Sequence, residues 1–223
     1  MERAKKNLKS NDKKAQVEYN LLARFKEALE AERPARTVEL SDEEKVVMKE
    51  IHLLTIKPVL YVANVSEDEV ADSENNPYVQ KVREFAAHDN AEVVVISAKV
   101  ESEIAELEGE DKEMFLQELG IQESGLDQLI KAAYKLLGLY TYFTAGVQEV
   151  RAWTIRKGTK APQAAGVIHT DFERGFIRAE VVHYDDLVAC GSMNAAKEKG
   201  LLRLEGKEYI VKDGDVMHFR FNV

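Results

Sequence analysis

The chain has 223 residues, of which 45% are hydrophobic and 32% charged, and a formal net charge of −9; this composition supports real cores and argues against broad, nonspecific affinity for nucleic acid. No apolar run approaches the roughly 20 residues that cross a bilayer, and the opening MERAKKNLKSNDKK lacks the apolar region of a signal peptide, so a cytoplasmic protein with no membrane partner is expected. A single cysteine, Cys190, excludes an internal disulfide or a cysteine-built zinc site, and His52, His88, His169, His183 and His218 are scattered without ligand spacing, so no metal site is expected.

The first segment reads as helix. Over residues 13–32, Val17, Leu21, Leu22, Phe25, Ala28 and Leu29 recur at spacings of three and four behind the capping types Ser10, Asn11 and Asp12. Pro34 ends this helix. Ser41 and Glu44 then form the sequence pattern of a capping box, opening a second helix over 42–54 with Val47, Ile51 and Leu54 inward. Two charged amphipathic helices on a short link suggest a helical hairpin or a coiled coil, whose charged faces are either solvated or a docking surface for a large partner.

After residue 55 strand and helix alternate. KPVLYVAN (57–64) and AEVVVIS (91–97) are short, nearly continuous apolar runs, as expected for strands covered on both sides, and Asn76-Pro77 opens a helix to about residue 88. Acidic helical stretches follow over 101–119, with Glu101 to Glu113 read as a solvated face. Ser124 caps a helix through Leu137 with Leu126, Leu129, Ile130, Ala133 and Leu137 inward. Such α/β units bind ligands beyond the C-terminal ends of their strands, which here are Asn64 and Ser97.

The C-terminal part differs in kind. Residues 1–139 hold 19 Lys+Arg against 29 Asp+Glu, a balance of −10, whereas residues 140–223 hold 12 against 11, a balance of +1. EVRAWTIRKG (149–158), GFIRAEVVHY (175–184) and KEYIVKDGDVMHFRF (207–221) read as strands, the last stretch as a pair turning at Asp213-Gly214, with a short helix near 185–199. Gly138 and YTYF (140–143) mark the expected boundary, and Trp153 is expected in the core. The fold class is thus α/β plus α+β, in three parts: 1–55, 56–139 and 140–223.

HLLTIKPVLYVANVSEDE, the strand-end SAK (97–99) and VRAWTIRKGTKAPQAAGVIHTDFERGFIRAEVVHYDDL together resemble the Obg-like ATPases of the YchF subfamily, among the translation-factor-related P-loop NTPases. The resemblance implies a coiled-coil helical insertion over 1–55, the C-terminal half of a nucleotide-binding G domain over 56–139, and a β-grasp TGS domain over 140–223. It also implies a base-binding set. GTPases of the superfamily read guanine with N-K-x-D; the corresponding residues here are Asn64, Val65, Ser66 and Glu67, facing Ser97, Ala98 and Lys99 of the S-A-K segment. Without the Lys and with a longer carboxylate, the basis for choosing guanine is lost, which agrees with the ATP preference of the family. Read without the resemblance, Asn64 is equally a turn or capping residue.

No G-x-x-x-x-G-K-[ST] occurs in the 223 residues, so no catalytic residue is assigned and the chain alone is expected to turn over no ATP. The expectation is a chain starting inside the helical domain, with ATP and Mg²⁺ bound by the full-length protein and neither held tightly by this part. The implied partner is the ribosome, not DNA. Arg151, Arg156, Lys157, Lys160, Arg174 and Arg178 are candidate contacts to RNA phosphate. The alternative is a stand-alone ribosome- or RNA-binding module without catalysis. The resemblance also implies redox regulation, for which Cys190 is the candidate, although a lone Cys is more often a small buried hydrophobe.

Overall fold

Leu21, Phe25 and Ala28 recur at spacings of four and three, and this stripe builds the first sizeable helix. A computed structural model of the chain describes residues 2–7, 13–146 and 149–222; the expected caps Ser10, Asn11 and Asp12 lie outside them. Helix α1 (Glu2–Asn7) is followed by α2 (Lys13–Glu30), which buries Leu21, Phe25 and Ala28. Leu29, expected on the same stripe, is 39% exposed. The Ser41–Glu44 capping box forms as expected, with Glu44 N–H donating to Ser41 Oγ at 3.3 Å and Ser41 N–H donating to Glu44 Oε2 at 2.9 Å.

Helix α3 (Asp42–Met48) stops well before residue 54. Val47, Leu53 and Ile56 pack against Leu21 and Phe25, whereas Leu54, expected inward, is 82% exposed. Beyond Met48 the chain supplies the core from an irregular segment, and Lys57 before Pro58 is held extended, so the helical period cannot continue. The 7-residue α3 is thus a short arm against the 18-residue α2.

Strand β1 (Leu60–Asn64) pairs in parallel with β2 (Glu92–Ile96), from Leu60↔Glu92 to Asn64↔Ile96, through the crossover helix α4 (Pro77–His88). Asn76 Oδ1 accepts the N–H groups of Tyr78 at 2.9 Å and Val79 at 3.3 Å, so the Asn-Pro start is the expected one. β1 is not covered on both sides: Val62 is 42% exposed in this two-stranded sheet. Beneath it, Arg36 Nη2 pairs with Asp89 Oδ2 at 2.5 Å and Tyr61 Oη donates to the same oxygen at 3.0 Å, joining the segment after α2 to β1 and the end of α4.

Helices α5 (Ala98–Ile104), α6 (Gly109–Glu118) and α7 (Gly125–Leu137) follow. Glu101 is no mere solvated residue: its carboxylate accepts Gly125 N–H at 2.7 Å and Leu126 N–H at 3.0 Å, capping α7 beside Ser124. Gly125 is required there, because a Cβ would stand 2.6 Å from Ile96 Cγ2. The inward face expected for α7 is overturned at three positions, since Leu126, Ile130 and Leu137 are 54%, 48% and 58% exposed while Ala132 is buried. The apolar period of α7 is real, but these three positions of its stripe remain largely exposed.

The chain divides into two compact units, Met1–Ala132 and Ala133–Val223. In the second, YTYF belongs to a central strand: β3 (Leu139–Ala145) lies between β4 (Val150–Arg156) and β7 (Asp215–Phe221) in a five-stranded sheet of order β4-β3-β7-β5-β6, with β5 (Phe176–His183) and β6 (Arg203–Glu205). β3 and β7 run parallel and the other neighbours are antiparallel. Residues 207–212 form no strand beyond an isolated bridge of Ile210 with Lys160, so the expected terminal hairpin is a single strand entered through Gly214 at φ +79. Helices α8 (Ala161–Ile168) and α9 (Thr170–Arg174) cover one face, and the helical stretch near 185–199 is split by Gly191 at φ +76 into α10 (Tyr184–Cys190) and α11 (Met193–Glu198). The core centres on Tyr142, Ile155, Ala164, Val181, Met217 and Phe219, with Trp153 only half-buried against it.

Candidate nucleotide-base site and nucleic-acid interface

The two segments singled out for base binding meet at the C-terminal ends of the parallel pair. Asn64 Oδ1 accepts the backbone N–H of Ala98 at 2.9 Å, and Val65 N–H donates to Ile96 O at 2.8 Å, so the first segment is held against the second by one side-chain and one main-chain bond. Asn64 is exposed, and its amide nitrogen has no partner among the described residues. It can therefore donate to an acceptor on a purine edge. Ser97 is buried, whereas Ala98 and Lys99 face solvent.

Glu67 is an ion-pair partner of Lys99, and this hydrogen bond, with Glu103 3.9 Å away, raises the Lys99 pKa above the ordinary lysine value. The pair bridges the second residue set to the first. It also engages the Glu67 carboxylate.

Two further residues brace this loop. Glu69 Oε2 accepts from Ser66 Oγ at 2.7 Å and Ser66 N–H at 3.2 Å, which hold its carboxyl below the ordinary range, and its Oε1 accepts from Asn76 Nδ2 at 2.8 Å. Asn76, the α4 cap, thereby fixes the far side of a concavity lined by Asn64, Val65, Ser66, Tyr78 and Val79. The Ser-x-x-Glu spacing of Ser66 and Glu69 was the available signal for this bracing, being a second capping-box pattern.

The six candidate phosphate contacts do not share one surface. Strand alternation puts Arg156 and Arg178 on the sheet face opposite α8 and α9, where neither has a side-chain partner among the described residues. They stand at opposite ends of it, because Arg156 pairs with Leu139 at the start of β3 whereas Arg178 pairs with Arg220 beyond the end of β3. Arg151 lies toward the helix side, its guanidinium 4.2 Å from the Trp153 ring centroid. Lys157 lies 5.8 Å from the Tyr140 centroid, Lys160 pairs with Glu208 at 2.5 Å, and Arg174 approaches Asp171 at 3.7 Å.

Arg220 was missed in the sequence. It faces Arg178 across the strands, with Glu180 accepting from its Nε at 3.2 Å and its Nη2 at 3.4 Å. Only cross-strand register brings the two arginines together. Cys190 is half-buried at the end of α10. Among the described residues no group of three or more His, Cys, Asp or Glu is placed to hold a metal ion, and no helix is long and apolar enough to cross a membrane.

The family model YchF-GTPase_C, described as a protein of unknown function (DUF933), matches residues 139–222. The chain is 67% identical over 221 residues to the Ribosome-binding ATPase YchF of Bacillus subtilis (strain 168), covering 99% of this chain and 60% of that protein. It is 42% identical over 219 residues to Obg-like ATPase 1 of Rattus norvegicus, covering 96% and 55%. Among solved structures, the Schizosaccharomyces pombe YchF GTPase superposes with a TM-score of 0.82 at 35% identity, covering 92% of this chain and 55% of that one. The chain thus spans about 60% of the length of the bacterial relatives and corresponds to their C-terminal part.

Proposed function

The chain belongs to the YchF family, and from that premise we propose that it is the C-terminal portion of a cytoplasmic, ribosome-associated NTPase that prefers ATP, carrying base recognition and ribosome contact. The observation that carries this reading is the Asn64–Ala98 hydrogen bond, which joins the Asn64–Glu67 and Ser97–Lys99 segments into one rim at the strand ends. In this reading Asn64 meets the purine edge and Val65 offers an apolar surface. Glu67, held by Lys99, does not accept the two adjacent donors of guanine. Phosphates and Mg²⁺ are bound by the phosphate loop of the full-length protein, a motif these 223 residues do not contain.

The helical segment is the base of a coiled-coil arm, and the second unit is a TGS-type β-grasp domain; the parallel pairing of its first and last strands, β3 and β7, at the centre of the sheet supports that assignment. Ribosome contact is assigned to this unit, whose charge balance of 12 Lys+Arg to 11 Asp+Glu over residues 140–223 contrasts with the acidic remainder.

A chimera joining the upstream segment of the Bacillus subtilis relative to this chain tests the proposal. ATP turnover by the chimera and none by the chain alone is the expected result. Ribosome co-sedimentation by both, with an inactive chimera, would instead favour a pure binding role.

A further inference from the structure

The antiparallel pairing of β3 with β4 decides which backbone groups of β4 are used. Lys157 N–H donates to Gly138 O at 2.7 Å and Gly146 N–H to Glu149 O at 2.9 Å, at the two ends of the register that sets Leu139 against Arg156 and Ala145 against Val150. Bonded and non-bonded pairs alternate along such a ladder, so Arg151, Trp153 and Ile155 bond to β3 while Val150, Ala152 and Thr154 turn their N–H and C=O groups away from it. β4 is the outermost strand, and among the described residues these outward groups have no backbone partner. The edge closes at its end, where Thr159 N–H donates to Arg156 O at 3.1 Å.

Sheet edges are ordinarily blunted by shortness, proline, a bulge or charge. The other edge of this sheet, β6, has three residues. β4 has seven, contains no proline, and pairs with β3 in an unbroken register, and its Val150 is 73% exposed. Its protection is positive charge: VRAWTIRK (150–157) holds Arg151, Arg156 and Lys157 and no carboxylate. Arg156 has no side-chain partner among the described residues, and Lys157 lies 5.8 Å from the Tyr140 ring centroid. Arg151 approaches Glu149 at 3.7 Å, but with side chains 54% and 64% exposed such a pair contributes little in water.

These charges choose among occupants. Like charges opposed across strands destabilise their pairing, so a second β4 laid along the first would gather three cations from each copy, whereas an acidic strand meets each cation with a carboxylate. Nucleic acid offers no amide ladder to the outward N–H and C=O groups. We propose that the outer edge of β4 receives an extended acidic segment of a partner protein as a sixth strand, its main chain bonded to Val150, Ala152 and Thr154 and its carboxylates beside Arg151, Arg156 and Lys157. The partner is a protein chain, and the inference rests on neither the base-recognition nor the RNA-contact reading.

The test titrates the chain with the acetylated, amidated octapeptide Glu-Glu-Val-Thr-Val-Thr-Glu-Glu, whose charges match the edge in either strand direction. The controls are the same peptide with lysine for each glutamate, and the acidic peptide N-methylated at its four central residues. Amide exchange at Ala152 and Thr154 should slow saturably, while that at Arg151 and Trp153, already bonded to β3, stays unchanged. The chain has one tryptophan, so Trp153 emission gives the affinity. The acidic peptide should bind about tenfold or more tighter than the lysine peptide, as several opposed charge pairs imply. It should also bind about tenfold tighter than the N-methylated form, which keeps every side chain but lacks the central main-chain donors. Ala152→Pro, placed where the N–H faces away from β3, should weaken binding by about tenfold with an unchanged unfolding midpoint. The unmodified chain decides the matter should that variant unfold: no slowing by the acidic peptide, equal protection by the lysine peptide, or equal affinity of the N-methylated form overturns the proposal. So does protection that grows with chain concentration in the absence of peptide, which gives the edge to a second copy. Protection by a single-stranded RNA octanucleotide with none by the acidic peptide overturns it as well and gives the edge to nucleic acid.

Discussion

Asn64 and Ala98 are joined across the ends of two parallel strands by a 2.9 Å hydrogen bond from the Ala98 backbone N–H to the Asn64 side-chain oxygen. The bond places a polar side chain where the apolar run of β1 stops. It also leaves the Asn64 amide nitrogen free to donate outward. One residue therefore both closes the rim and presents a donor to whatever enters it.

Asn64→Ala should remove that coupling at a cost of about 1 kcal/mol, the usual net value of one such bond. Hydrogen exchange at the Ala98 amide should accelerate while β2 keeps its protection. Unchanged protection at Ala98 would refute the coupling.

In the proposed base-reading role, the preference turns on Val65 and Glu67. Restoring N-K-x-D through Val65→Lys with Glu67→Asp should free a shorter carboxylate from Lys99 and let it accept both guanine donors. In the chimera, the ratio of kcat/KM for ATP to that for GTP should fall by about tenfold or more, since a site built to pair specific donors discriminates strongly. An unchanged ratio sinks the assignment of base reading to this segment.

Arg36 and Asp89 test the internal tether of the first unit. Their side chains are 18% and 9% exposed, so Arg36→Met leaves a nearly buried carboxylate unpaired and should cost about 3 kcal/mol. The Arg36 hydrogen bond holds the Asp89 pKa below its ordinary 3.8. A depressed carboxylate pKa contributes stability above the unfolded value and loses it as pH falls through the folded one. The difference in urea midpoint between parent and variant should thus be constant from pH 7 to about 5 and shrink below about 4. A difference that persists undiminished at pH 3 would show that Asp89 titration is not its source.

Elements with a sustained period or a local cap were legible in the sequence: α4 begins at Pro77 behind Asn76, and β1 and β2 follow their apolar runs. Period did not reveal which face is covered, so Leu126 and Ile130 lie exposed on a correctly placed helix. Helices α8 and α9 were missed because they are short, and α9 is capped by His169, whose Nδ1 accepts Asp171 N–H at 3.2 Å, an unusual capping type. YTYF reads in sequence as a boundary mark and not as a strand because it follows a glycine at φ +62 and precedes Gly146, boundary signals that here flank a central strand. The Asn64 and Ser97 segments were recognisable, but their bracing by Glu69 and Asn76 and the meeting of Arg178 with Arg220 depend on tertiary placement.

Asp215 is fully buried and accepts from Tyr209 Oη at 2.7 Å, Lys212 N–H at 2.9 Å and Arg203 Nη2 at 3.4 Å. Asp215→Ala strands a cation and two donors and should cost about 3 kcal/mol or more. Burial, reinforced by the Asp215 hydrogen bond, pushes the Tyr209 hydroxyl from 10.0 up to about 12. Its neutral form is favoured by the fold, so this contribution is intact below pH 10 and lost as pH rises toward 12. Tyr209→Phe should flatten the alkaline decline in stability; an identical decline in the variant would exclude Tyr209 as its origin.

Placement on two faces predicts that the arginines of the second unit are not equivalent in ribosome association. Arg178 and Arg220 share one end of the sheet face opposite α8 and α9, Arg156 the other, and Arg151 and Arg174 lie on the side of α8 and α9. If RNA meets this end of the sheet, Arg174→Ala and Arg178→Ala should each weaken co-sedimentation. Each should also lower the slope of log K against log salt by about 0.7 to 0.9, the value for one released counterion. Arg156→Ala should leave both unchanged, although it removes the same charge from a chain whose net charge is −9. Equal losses at all three positions would point to a diffuse electrostatic attraction, and no loss at Arg174 and Arg178 would remove the sheet end from the contact altogether.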